Sequence, residues 1–271
     1  MIGKSLKFIQ SFVSLYSKNR LMIASAALSY YLTMTVFPLL ICLYTMLGNS
    51  YDSIMRLTRL ASGILAPDII DLIEDFLGYV SSNDSSKLLL AGLLLLLSYA
   101  SAAVRSIHQT VYSLQGGSKF EGLGQYIVSL IFSLVFLAAM YFAVLVMLTG
   151  KRFVEAANTV LPWVNISASW DIIRFLVLAG IFYGVIKGIY EAPKRPEDEY
   201  STSPGAVSAT AAALAVTVLF SLFISRSANY PLVYGSLASL VLLMLWLYSV
   251  CTVIYCGAAL NILIRDKNTH L

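Results

Sequence analysis

Charge is what this sequence has least of. Only 12% of its 271 residues are Asp, Glu, Lys or Arg, where soluble domains carry about 25%. Too little charge remains to clothe a solvated surface, so a soluble enzyme or binding module is excluded. Histidine occurs twice, as His108 and His270, and cysteine three times, as Cys42, Cys251 and Cys256. The cysteines all lie in apolar runs, without zinc spacing or a disulfide framework. There is no GxSxG elbow, no P-loop, no nucleophile–base pair and no carboxylate deep inside an apolar run. Catalytic residues, a metal and a cofactor are therefore not expected, and the chain is read as a non-enzyme. The net charge of +4 comes without a basic stripe interleaved with aromatics, which argues against nucleic acid. Low-complexity tracts and internal repeats are also missing.

Long apolar runs fill the space instead, and 59% of the residues are hydrophobic. A helix needs about 20 apolar residues to cross a bilayer. The expected fold is an all-α integral membrane bundle in one domain, 1–271. Its six spans are placed at approximately 23–47, 88–107, 126–150, 170–190, 205–225 and 234–259. The first run is longer than the apolar core of a secretory signal and lacks a cleavage site, so it reads as an uncleaved span. The fourth carries Arg174 and Lys187 near its ends, with Asp171 one turn from Arg174. Such side chains can snorkel to the interfaces.

Orientation follows from the cations. With both termini cytoplasmic, eleven of the eighteen Lys and Arg fall inside and six outside, as the positive-inside rule requires. Arg105 is counted there with the inner loop. Residues 1–20 repeat Leu6, Ile9, Val13 and Tyr16 at helical spacing with lysines elsewhere, which suits an interfacial helix on anionic lipid. Within the external loop 48–87, "APDIIDLIEDFLGYV" starts a second amphipathic helix at Pro67. Asp68, Asp71 and Asp75 share one face of it, read as solvated rather than as a cation site. His108 is read as a solvated histidine at a span boundary.

The first span, "SAALSYYLTMTVFPLL", is unusually polar. Ser25, Ser29 and Thr33 recur every fourth residue, Tyr30 and Tyr31 flank them, and Pro38 breaks the bond to Met34. Such a helix belongs inside the bundle, its hydroxyls holding a neighbour or lining a cavity. Gly205, Ala209, Ala213 and Thr217 give the fifth span a small-residue ridge for close packing. Trp246 and Tyr248 lie too deep for an interfacial belt and are expected against neighbouring helices. The cavity-lining candidates are Ser29, Tyr30, Tyr31, Thr33, Pro38, Tyr234 and Gly235.

Together "AALSYYLTMTVFPLL", "SPGA" and "YGSLASLVLLMLWLYSVCTVIYCGAALN" resemble the pattern of the YihY/BrkB family of bacterial inner-membrane proteins, once labelled ribonuclease BN. The matching residues are Tyr30, Pro38, Pro204, Gly205, Tyr234, Gly235, Gly257 and Asn261. The resemblance implies a six-helix protein of the cytoplasmic membrane with both ends inside. None of these residues supports a ribonuclease. The expected role is a transporter or handler of a lipid or small solute, with membrane lipids as partners. The alternative is an envelope scaffold that binds a partner through the 48–87 loop.

Overall fold

A computed structural model describes residues 2–46, 67–82, 85–116, 123–160, 170–194, 200–226 and 238–269. These residues form eight α-helices and no strand. They are α1 (Ile2–Lys18), α2 (Leu21–Met46), α3 (Pro67–Ser82), α4 (Ser85–Leu114), α5 (Leu123–Val160), α6 (Trp170–Glu191), α7 (Ser203–Arg226) and α8 (Ala238–Thr269). Five of them are long and apolar enough to cross a membrane: α2, α4, α5, α7 and α8. Helix α6, 22 residues long, carries Asp171 and Arg174 near its start and Lys187 near its end.

Helix α2 is central, packed antiparallel on α4 and also against α8. Its residues Leu21 and Leu28 share a buried core with Ala103, Ile107 and Val111 of α4 and Cys251, Tyr255 and Ala259 of α8. At the other end of the pair, a β-carbon on Gly92 would stand 3.2 Å from the Ile41 side chain. The glycine gives α4 room to lie this near α2 without displacing Ile41, as small residues do in apolar bundles. Gly116 (φ 78°) ends α4 in the left-handed conformation that glycine adopts freely. Arg20 (φ 50°) takes the same conformation between α1 and α2, a less favourable geometry for a residue with a β-carbon.

Several boundaries differ from those expected. The second span, placed at 88–107, is part of a helix running to Leu114, so Arg105 and His108 belong to a helix and not to a loop. His108 is 3% exposed, which corrects its reading as a solvated boundary residue. The α4 register turns it toward α5, where its ring packs edge-on to Phe132 at 5.0 Å. Helix α5 continues to Val160, beyond the end of the third span expected at 150.

The helix expected in the external loop is present, but its apolar side is buried on the bundle. Ile69 is buried with Ile224 of α7 and Leu242, Leu243 and Leu247 of α8. Leu77 and Val80 are buried with Tyr44 of α2, and Phe76 meets Phe37 edge-on at 5.0 Å. Asp71, Asp75 and Tyr79 face outward. No group of three potential metal ligands occurs among the described residues. Residues 48–66 and 83–84 of that loop lie outside the described residues.

Candidate functional site

The hydroxyls of the serine and threonine candidates on the first span turn back onto their own helix. Ser25, Ser29 and Thr33 are buried, as their spacing requires. Each hydroxyl nevertheless donates to its own helix: Ser25 to the Leu21 carbonyl at 2.8 Å, Ser29 to Ala26 at 2.9 Å and Thr33 to Ser29 at 2.8 Å. Thr35 does the same to Tyr31 at 2.7 Å. Such back-bonding satisfies a hydroxyl without a second helix, so the ridge packs as small side chains do. Tyr31 is half-buried against the core, while Tyr30 points outward at 44% exposure. Their rings meet edge-on at 5.6 Å. Pro38 is buried, and α2 continues past it to Met46 without ending at the proline. Tyr234 and Gly235 lie outside the described residues.

The densest polar construction lies where α7 begins against α8. Asn261 is buried, its Oδ1 accepting the Gly205 N–H at 2.7 Å and its Nδ2 donating to the Thr202 carbonyl at 2.9 Å. One side chain thus caps an orphan amide of the first turn and fixes the segment of chain entering the helix. Around it, Tyr190 of α6 donates to the Ile254 carbonyl, and Thr202 donates to Glu191 at 3.1 Å. Tyr200 accepts from Gln115, at the end of α4, at 2.9 Å, and its backbone carbonyl accepts from Lys194 at 2.7 Å. Arg265 lies 5.6 Å from the centre of the Tyr200 ring. Four helices are therefore tied together at one end of the bundle. Sequence spacing could not reveal this, because Asn261 and Gly205 are 56 residues apart.

The small-residue ridge of α7 packs as expected. Gly205, Ala209 and Ala213 are buried against α8, and Trp246 donates to Thr217 at 3.3 Å. On one flank of this pair the surfaces part and leave a cavity of 380 Å³, open on one side. Ser208, Ala209 and Ala212 of α7, Val253, Cys256, Gly257 and Leu260 of α8, and Phe12 of α1 line it. Small side chains on α7 make the space, and nearly all of its wall is apolar. Its volume falls in the range of small-molecule sites. Such a wall suits an apolar group.

Helix α1 borders this groove because Phe12, Leu15 and Tyr16 pack on the core. Burial there raises the Tyr16 phenol above its ordinary value, with smaller contributions from Tyr248 and Cys256. Val13, of the predicted apolar stripe, is 58% exposed. The helix thus turns an apolar residue outward beside the face it packs.

A family profile described as "Virulence factor BrkB" matches residues 12–270. The chain is 27% identical to a "Putative ribonuclease-like protein YfkH" of Bacillus subtilis, over 97% of this chain and 96% of that protein. It is 23% identical to a UPF0761 membrane protein of Albidiferax ferrireducens, over 90% of this chain but 59% of the relative. A UPF0761 membrane protein of Aromatoleum aromaticum is 35% identical over 85 residues, 31% of this chain and 20% of that one. No solved structure matches. The apolar helices and a match spanning nearly the whole sequence agree: this chain is a membrane protein of the BrkB family.

Proposed function

We propose that the protein binds, and moves within or across the bacterial cytoplasmic membrane, a lipid or other small amphipathic solute. The observation that carries this reading is the apolar groove between α1, α7 and α8. A groove cut into membrane-crossing helices, with small apolar walls and one open side, fits an acyl chain better than a hydrophilic solute. In this reading α6 is a sixth traversal, both termini are cytoplasmic, and α1 lies in the interface. The exposed Lys18 and Val13 of α1 then meet headgroups and acyl chains respectively, and Phe12 links that interface to the groove. No catalytic step forms part of the proposal.

The test is retention and movement of a fluorescent phospholipid by purified protein in liposomes. Ala212→Trp and Ser208→Trp fill the groove from half-buried positions and should abolish both. Unchanged lipid movement in both folded variants would sink the reading.

A further inference from the structure

The contact between α4 and α5 holds polar groups that neither the groove nor the Asn261 cap uses. Ser101, Arg105 and His108 recur at helical spacing on α4, and Tyr126, Ser129 and Ser133 do so on α5. Two contacts bring these stripes face to face. The Arg105 guanidinium lies 4.9 Å from the centre of the Tyr126 ring, and His108 packs on Phe132, between Ser129 and Ser133 in sequence.

Three of these groups have hydrogen-bonding capacity to spare. Arg105 donates from Nη1 to Ser101 at 2.8 Å and has no carboxylate partner among the described residues. A guanidinium carries five donors, so most of them meet no hydrogen-bond partner among the described residues. Among the described residues, His108, 3% exposed, has no partner for Nε2, and Ser129, 0% exposed, has none for its hydroxyl. Ser133, one turn on, returns its hydroxyl to the Leu130 carbonyl at 2.8 Å. A helical serine has that option, and Ser129 does not take it. A buried polar group left unmet is costly, and an ionised side chain inside a membrane span marks a functional site by default.

The chemistry of the set selects its ligand. The apolar stretches Leu89–Leu114 and Tyr126–Ala143 contain no Asp or Glu, so the local charge is positive. A guanidinium, a serine hydroxyl and an imidazole N–H all donate, and an oxyanion accepts from all three. Tyr126 is 58% exposed, whereas His108 and Ser129 are buried.

We propose that Arg105, His108 and Ser129 form a binding site for an oxyanion, a phosphate or carboxylate group, between α4 and α5. The anion is carried by a lipid headgroup or by a free solute. This site is built from different helices than the apolar groove and does not rest on it.

The experiment uses the full chain in maltoside micelles. Native mass spectrometry follows retained phosphatidylglycerol and diacylglycerol of the same acyl chains, and calorimetry follows inorganic phosphate. Wild type is expected to retain phosphatidylglycerol over diacylglycerol, to bind phosphate, or both. Phosphate binding without lipid identifies a free anion as ligand, and phosphatidylglycerol preference alone identifies a headgroup. Arg105→Gln should weaken the anionic probe by about tenfold or more, and Ser129→Ala by about threefold, with diacylglycerol retention unchanged. Arg105→Lys keeps the charge and should retain part of the binding. Should Arg105→Gln fail to fold, Arg105→Lys and the single-atom change Ser129→Ala carry the test. Equal anion binding by wild type and these variants overturns the proposal, as does binding of neither anionic probe by wild type. Failure of the groove reading is distinct: Ala212→Trp would then leave diacylglycerol retention intact.

Discussion

Gly205 of α7 and Gly257 of α8 face one another so closely that neither position has room for a β-carbon. One added to Gly257 would stand 2.6 Å from the Gly205 carbonyl oxygen, 2.7 Å from the Tyr190 hydroxyl and 2.8 Å from Ala209. One added to Gly205 would overlap the Gly257 carbonyl and the Asn261 side chain. The backbone contact lets Asn261 reach the first turn of α7, and Tyr190 closes the far side.

Gly257→Ala and Gly205→Ala should each destabilise the protein by about 1–3 kcal/mol, because backbone, not a flexible side-chain end, must give way. Gly180→Ala is the control, since nothing lies within 4 Å of a β-carbon there. Thermal unfolding of the detergent-solubilised protein measures all three. An unaltered Gly257→Ala melting curve would contradict the packing described.

Asn261→Ala removes a buried acceptor and a buried donor together, leaving the Gly205 amide and the Thr202 carbonyl without their side-chain partner. The expected loss is about 1–3 kcal/mol. Asn261→Asp keeps the acceptor but buries a charge beside the Thr202 carbonyl, and should be no better than alanine. Hydrogen exchange at the first turn of α7 should rise in both.

Replacing the hydroxyl ridge should cost little. Ser25→Ala, Ser29→Ala and Thr33→Val delete bonds made within α2 itself, and hydrogen bonds in membrane bundles average about 0.6 kcal/mol even between helices. Unfolding midpoints close to wild type are expected. A large loss from Ser29→Ala would show that the ridge binds a neighbouring helix or a ligand.

Docking of α1 should weaken at alkaline pH. Desolvation raises the Tyr16 phenol in the folded protein, so an undocked Tyr16 ionises first as pH passes its ordinary value near 10. Protons then leave the undocked form more readily, and docking loses free energy as pH climbs further. Tyr16→Phe should remove this part of the pH dependence, read by protease access to the α1–α2 junction between pH 8 and 11.

Composition and run length alone determined that this is a helical membrane protein. Apolar stretches of bilayer length cannot be housed otherwise, because backbone amides in lipid must bond within their own helix. Periodicity likewise determined that Ser25, Ser29 and Thr33 share a buried face and that the α7 ridge packs closely. It placed α3 as an amphipathic helix but could not say that α2, α7 and α8 would bury its apolar side. Tertiary structure decided every question of partnership. The hydroxyl ridge turned out to satisfy itself, Tyr30 to face outward, and His108 to be buried against α5. Asn261 found its partners 56 and 59 residues away, a separation at which no local pattern operates. Helical spacing reports which residues share a face, and only the packing of helices decides what that face meets.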